Sequence, residues 1–206
     1  DFERAPACVC SPVDGTVSMA GPIRAGTLLQ AKGRDYTLAD LLAGDAAMAA
    51  RYQDGQFATI YLAPYNYHRI HMPLGGTWRA GWYVPGRLFS VNATTAARVP
   101  RLFARNERVV CVFENERGPW VLVLVGATIV GSMATVWHGV VNPPRGPVQS
   151  WSYEGRDIRL AGGTREFAGH DPILRLYLKG DLLSAGALNL DVHVDGEWVF
   201  WGAGRR

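Results

Sequence analysis

Lysine is nearly missing from the 206 residues: only Lys32 and Lys179 occur, and arginine supplies the rest of the 21 basic side chains, against 18 acidic ones. The net charge of +3 is too small for a polyanion-binding surface, so nucleic acid is not expected as a partner. Cysteine is scarce too. Cys8, Cys10 and Cys111 do not build a disulfide framework, and Cys8-Val9-Cys10 lacks the two-residue spacer of the usual zinc or redox pairs, so structural thiols are expected. No uninterrupted apolar run reaches the ~20 residues of a membrane helix. The longest apolar stretch, residues 120–137, is rich in Val, Ile and Thr and broken by Gly126 and Gly131, which predicts two buried strands. The chain opens on Asp1 with no basic-then-apolar leader, so its natural N-terminus is expected to be missing or trimmed. Its location is expected to be the cytoplasm or a membrane surface.

What is present is a globular composition, 48% hydrophobic with a mean hydropathy of −0.01, which excludes disorder. Twenty-four Gly and twelve Pro punctuate short β-branched runs such as Phe57-Ala58-Thr59-Ile60-Tyr61-Leu62, Val109-Val110-Cys111-Val112-Phe113 and Ile173-Leu174-Arg175-Leu176-Tyr177-Leu178. Many short strands follow, hence a barrel or sandwich-like body. A helix is predicted over residues 37–43, with Thr37 as N-cap and Asp40 at its third position, and a second over 46–52. The Pro-rich residues 141–147 read as a connection between strand sets, and the whole chain as one domain.

Five histidines are few enough to weigh singly. His68 and His71 flank Arg69-Ile70 just after a predicted strand. In a strand that spacing sends side chains to opposite faces, whereas in a turn both converge on one cleft, and spacing alone does not decide. His138 and His193 read as ordinary strand-end or surface residues. Trp78 and Trp82 beside Tyr83 fit core packing, a substrate mouth or a membrane interface.

Several separate stretches coincide with one family. Tyr61-Leu62-Ala63-Pro64-Tyr65-Asn66-Tyr67-His68-Arg69-Ile70-His71-Met72-Pro73 and Tyr83-Val84-Pro85-Gly86-Arg87-Leu88-Phe89-Ser90-Val91-Asn92 closely resemble phosphatidylserine decarboxylases. So do Leu102-Phe103-Ala104-Arg105-Asn106-Glu107-Arg108, the run from Val125 to Ser132, and Ser11-Pro12-Val13-Asp14-Gly15 near the start. The resemblance covers residues 8 to about 150 in unbroken order. It implies a β-rich α+β fold and a self-processing enzyme. In that family a serine of a Gly-Ser-Thr segment is converted to an N-terminal pyruvoyl group, whose ketone accepts electrons when CO2 leaves an aminophospholipid. By motif match, Asp14 and His71 take the positions of the processing pair and His68 that of the proton donor. Tyr65-Asn66 stands where lipid enzymes of the family commonly carry Arg-Asp.

The departure lies near the C-terminus. Matching Phe167 and the strand from Ile173 to Tyr177 without gaps puts His170-Asp171-Pro172 where Gly-Ser-Thr belongs. No pyruvoyl group is then expected, since an aspartyl residue has no hydroxyl to eliminate; Thr164 and Ser184 lie too far from the position to replace it. The resemblance implies that Asp14, His68, His71, His170 and Asp171 gather in one pocket, as a general acid/base site or, less favoured, as nitrogen and oxygen ligands for a metal. Three functions stay open: an unprocessed, pyruvoyl-free catalyst acting on a small carboxylated or amine-bearing substrate, a pseudoenzyme binding a lipid head group or other small ligand, and an ordinary decarboxylase with atypical processing. Peripheral membrane contact and a homo-oligomer are the expected associations.

Overall fold

The computed structural model describes residues 9, 11–31, 33–66, 69–128, 132–135, 139–140, 148–152, 159–160, 165–170, 173–178, 189–194 and 197–202. The first half runs β1 (Thr16–Pro22), β2 (Thr27–Ala31), β3 (Arg34–Thr37), α1 (Leu38–Leu41), α2 (Ala46–Ala50), β4 (Gln56–Tyr61), β5 (Arg69–His71), β6 (Gly76–Val84), α3 (Ala93–Arg98) and α4 (Leu102–Arg105). The second continues with β7 (Arg108–Asn115), β8 (Gly118–Val125), β9 (Ser132–Thr135), β10 (Gly139–Val140), β11 (Gln149–Ser152), β12 (Arg159–Leu160), β13 (Arg165–His170), β14 (Ile173–Leu178), β15 (Asn189–Val194) and β16 (Glu197–Gly202). This is the β-rich α+β body that the sequence predicts.

One eight-stranded sheet is ordered β1-β4-β14-β8-β7-β6-β11, with β12 also on β6, and a four-stranded sheet is ordered β10-β9-β13-β5. The long apolar strands β7 and β8 sit inside the large sheet, and alternation along them feeds two cores. Val110 and Val112 with Val121, Val123 and Val125 face a cluster that takes in Leu28 of β2, Tyr36 of β3, Leu38 and Leu41 of α1, and Leu102 and Phe103 of α4. Val109, Cys111 and Phe113 with Leu122 and Leu124 face a second cluster holding Ile70, Met72 and Met133. Covering both faces of the sheet explains why β7 and β8 read as continuous apolar runs despite antiparallel pairing, which usually leaves one face wet.

The predicted helices form, shorter than expected. Thr37 caps α1 by accepting from the Asp40 N–H at 3.0 Å, and Asp45 caps α2 through Met48 at 2.8 Å. The helix α4 lies inside a motif read for its resemblance alone, and α3 lies between two such motifs. Residues 141–147, Cys8, Cys10 and His138 fall outside the described residues. Cys111 is buried in the second core, and burial pushes its thiol well above the usual range, which leaves an inert packing group. Trp78 is also core, tilted against Phe113, which stacks on Trp120, whereas Trp82 is half-buried against the first cluster.

Tyr52 yields a pH prediction. Its ring is 1% exposed, its hydroxyl finds no hydrogen-bond partner among the described residues, and burial pushes its pKa from 10.0 up to about 12. Above pH 10 the unfolded chain gives up this proton first, so the folded state holds more protons and stability falls as pH rises towards 12. Tyr52→Phe is expected to be near neutral at pH 7 and to remove up to about 3 kcal/mol of that alkaline loss, measured by urea melts at pH 8 and 11.5.

Candidate active site

The strand registers bring distant sequence motifs to one end of the large sheet. Thr16 pairs with Tyr61, Ile60 with Leu174, Leu174 with Leu124, and Arg108 with both Val125 and Val84. Asp14 ahead of β1, the turn after β4, Ile173 at the start of β14, Gly126 after β8, Glu107 ahead of β7 and Pro85 after β6 therefore follow one another along a single rim.

Asp14 is half-buried in the bend that leads into β1. Gly15 lets this bend close on β4, because a Cβ there would stand 2.6 Å from the Tyr61 carbonyl oxygen. His71, 6% exposed, ends β5. One edge of β5 is paired with β13, and on the other the His71 N–H donates to the Pro12 carbonyl at 2.8 Å. The Ser11-Pro12-Val13 segment, pinned by the Ser11 hydroxyl on the Val13 carbonyl at 2.8 Å, thus ties the chain bearing Asp14 to the strand bearing His71. Ile70 and Met72 enter the second core, so alternation turns His71 to the other face of β5. After β4, the Asn66 side chain accepts from the Ala63 N–H at 2.7 Å and closes the turn of the Tyr65-Asn66 replacement; Tyr65 stands 87% exposed.

Of the residues expected to gather, His170 is placed by the backbone at the end of β13. On β13 it is Arg165 that opposes His71, while His170 ends the strand opposite Ser132 of β9. His68 and Asp171 lie outside the described residues. Among the described residues, no three His, Cys, Asp or Glu side chains gather where a metal ion would bind.

Sequence reading passed over Glu107. Its side chain is on the same strand face as Val109 and Cys111, its residue is 2% exposed, and the Tyr83 hydroxyl donates to Oε2 at 3.4 Å. Its backbone is fixed on both sides: its N–H donates to the Arg87 carbonyl and its carbonyl accepts from Gly126, each at 2.8 Å. Asn106 holds the same junction, donating from Nδ2 to the Phe89 and Gly126 carbonyls at 2.8 Å and accepting from the Phe89 N–H. Arg108 turns to the opposite face and donates to the carbonyls of Leu41, Asp40, Ala104 and Asn106 at 2.6–3.1 Å, satisfying helix-end oxygens of α1 and α4. The available signal was three consecutive polar residues, Asn106-Glu107-Arg108, directly ahead of an apolar strand.

These are the segments in which the resemblance lay, and comparison with known proteins agrees. The chain matches the phosphatidylserine decarboxylase family over residues 1–186. It belongs to that family. It is 62% identical over 178 residues to the phosphatidylserine decarboxylase proenzyme of Chromobacterium violaceum, covering 84% of this chain and 63% of that protein. The proenzyme of Polaromonas naphthalenivorans is 66% identical over 148 residues, 71% of this chain and 51% of its own, and that of Albidiferax ferrireducens 58% over 174 residues, 83% and 61%. The chain thus spans between about half and two thirds of the length of these relatives.

The resemblance implies a pyruvoyl group made from the chain's own serine, and at the matching position the sequence carries Asp171 followed by Pro172. β13 ends at His170 and β14 begins at Ile173, and the two residues between them in the sequence, Asp171 and Pro172, lie outside the described residues. Neither carries the β-hydroxyl that an acyl shift and elimination require. The nearby serine, Ser132, belongs to the neighbouring strand and not to this pair.

Proposed function

We propose that the chain acts as a carboxy-lyase of the phosphatidylserine decarboxylase type on the serine head group of an aminophospholipid. The observation that carries this reading is the 62% identity to a phosphatidylserine decarboxylase proenzyme over 84% of the chain. His71 serves as general base, with Asp14 orienting it and stabilising the imidazolium, since the 11–14 segment is bonded to the strand that ends at His71. His68 returns a proton to the carbon that loses CO2, with His170 and Asp171 as further proton partners.

A second reading rests on the Asp171-Pro172 link: the chain stays unprocessed and free of pyruvoyl, and the same groups perform acid/base chemistry on a small carboxylated or amine-bearing substrate. The first reading requires the ketone to arise from a hydroxyl elsewhere in the chain; the second does not. One experiment separates them. Protein purified near neutral pH is weighed intact, treated with hydroxylamine, and incubated with phosphatidylserine vesicles while CO2 is collected. CO2 release by a split, hydroxylamine-reactive chain supports the first reading and ends the second. A single full-length chain without a ketone, inert towards phosphatidylserine, ends the first. Hot acid is avoided, because the Asp171-Pro172 bond is itself acid-labile, and a fragment starting at a free Pro172 counts as an artefact.

A further inference from the structure

At the far end of β1 and β4 from Asp14, a groove of about 430 Å³ opens between the edge of the large sheet and the β2–β3 hairpin. Met19 and Pro22 of β1 and Phe57 of β4 form its apolar wall, and Leu29 of β2, 43% exposed, faces it from the hairpin. Its volume falls within the range of small-ligand sites. Two opposite charges stand at its mouth. Arg24 bridges Thr27 across one edge of β2, and Asp35 on β3 opposes Leu29 across the other. Both are exposed, and neither makes an ion pair or side-chain hydrogen bond with a described residue.

We propose that this groove is a second lipid site that takes a zwitterionic aminophospholipid, with the phosphate on Arg24, the primary ammonium on Asp35, and an acyl chain along Met19, Leu29 and Phe57. One cation and one anion flanking an apolar trough complement a head group that carries one of each. A second copy of the chain suits the groove less well, because Leu29 is the only large apolar side chain there that is markedly exposed, far short of the ~800 Å² per partner of a standard interface. The site rests on the lipid-head-group reading above, and it gives the protein a membrane contact remote from the candidate active site.

Soluble dihexanoyl phosphatidylethanolamine, phosphatidylcholine and phosphatidylglycerol test it by calorimetric titration, with the Leu29 methyl resonances followed by NMR. The ethanolamine lipid is expected to bind about tenfold more tightly than the choline lipid, whose quaternary ammonium offers no N–H to Asp35. Asp35→Asn erases that preference, Arg24→Gln weakens both lipids about fivefold, and Leu29→Glu abolishes binding, all with unchanged melting temperatures. Equal affinity for the two lipids, unmoved Leu29 methyls at saturation, or a preference that survives Asp35→Asn overturns the site. So does binding lost in Asp14→Asn instead, or a dimer that dissolves in Leu29→Glu while lipid binding persists. Absence of phosphatidylserine turnover alongside groove binding defeats the proposed function and leaves this inference standing.

Discussion

His71→Ala and Asp14→Asn are each expected to cut turnover about a hundredfold or more, the usual cost of losing a general base or the group that orients it. The two differ in stability. Asp14 is half-buried at the rim, so Asp14→Asn should melt within a few degrees of the parent. His71 is 6% exposed, and truncating it leaves a cavity at the end of β5 that costs about 1–3 kcal/mol. Steady-state CO2 release from phosphatidylserine, read beside thermal melts of the same preparations, separates the cases. If the parent shows no activity to lose and both substitutions instead change ligand affinity, the pair belongs to a binding protein. If Asp14→Asn retains full turnover, its role as the orienting carboxylate is wrong.

The second large effect is structural. Gly86 lies where the segment after β6 passes the junction ahead of β7, and a Cβ there would stand 2.5 Å from Asn106 C and Glu107 N and 2.6 Å from Arg105 O. All three are backbone atoms, so no side chain can swing aside. Gly86→Ala is expected to cost about 3 kcal/mol, about 10 °C of melting temperature for a chain of this length, because the Arg87–Asn106 bridge and the Asn106 hydrogen bonds must part. Gly44→Ala is the control. Gly44 has φ +86 but nothing within 4 Å of an added Cβ, so only the conformational penalty of about 1 kcal/mol applies. Equal losses in the two variants would show that the close approach at Gly86 is not what holds the junction.

Strand runs were legible in the sequence because their β-branched side chains are local. The segments 57–62, 109–113 and 173–178 correspond to β4, β7 and β14 within a residue or two at either end. The helices α3 and α4 were not legible, since α3 has no buried residue and α4 is a single turn whose Leu102 and Phe103 enter the core from a segment too short for a period to show. For the candidate site, Asp14 and His71 were legible through motif resemblance, and the Ser11-Pro12 strap joins their segments. Glu107 was not, because a lone carboxylate beside an arginine looks like a solvated pair until alternation sends the two to opposite faces of a covered sheet.

Composition and motif order by themselves determined the class of the chain, its β-rich body, its family and the absence of a hydroxyl at position 171, all properties of residue type and local order. Only the tertiary structure decided which motifs share a rim, that Arg165 is the β13 residue opposite His71, that Trp78 is core and not a substrate mouth, and that Arg24 and Asp35 face one groove. These depend on strand register and on which face of a sheet is covered. A shift of one residue in pairing would send every side chain of a strand to the other face, and no single stretch of sequence records that choice.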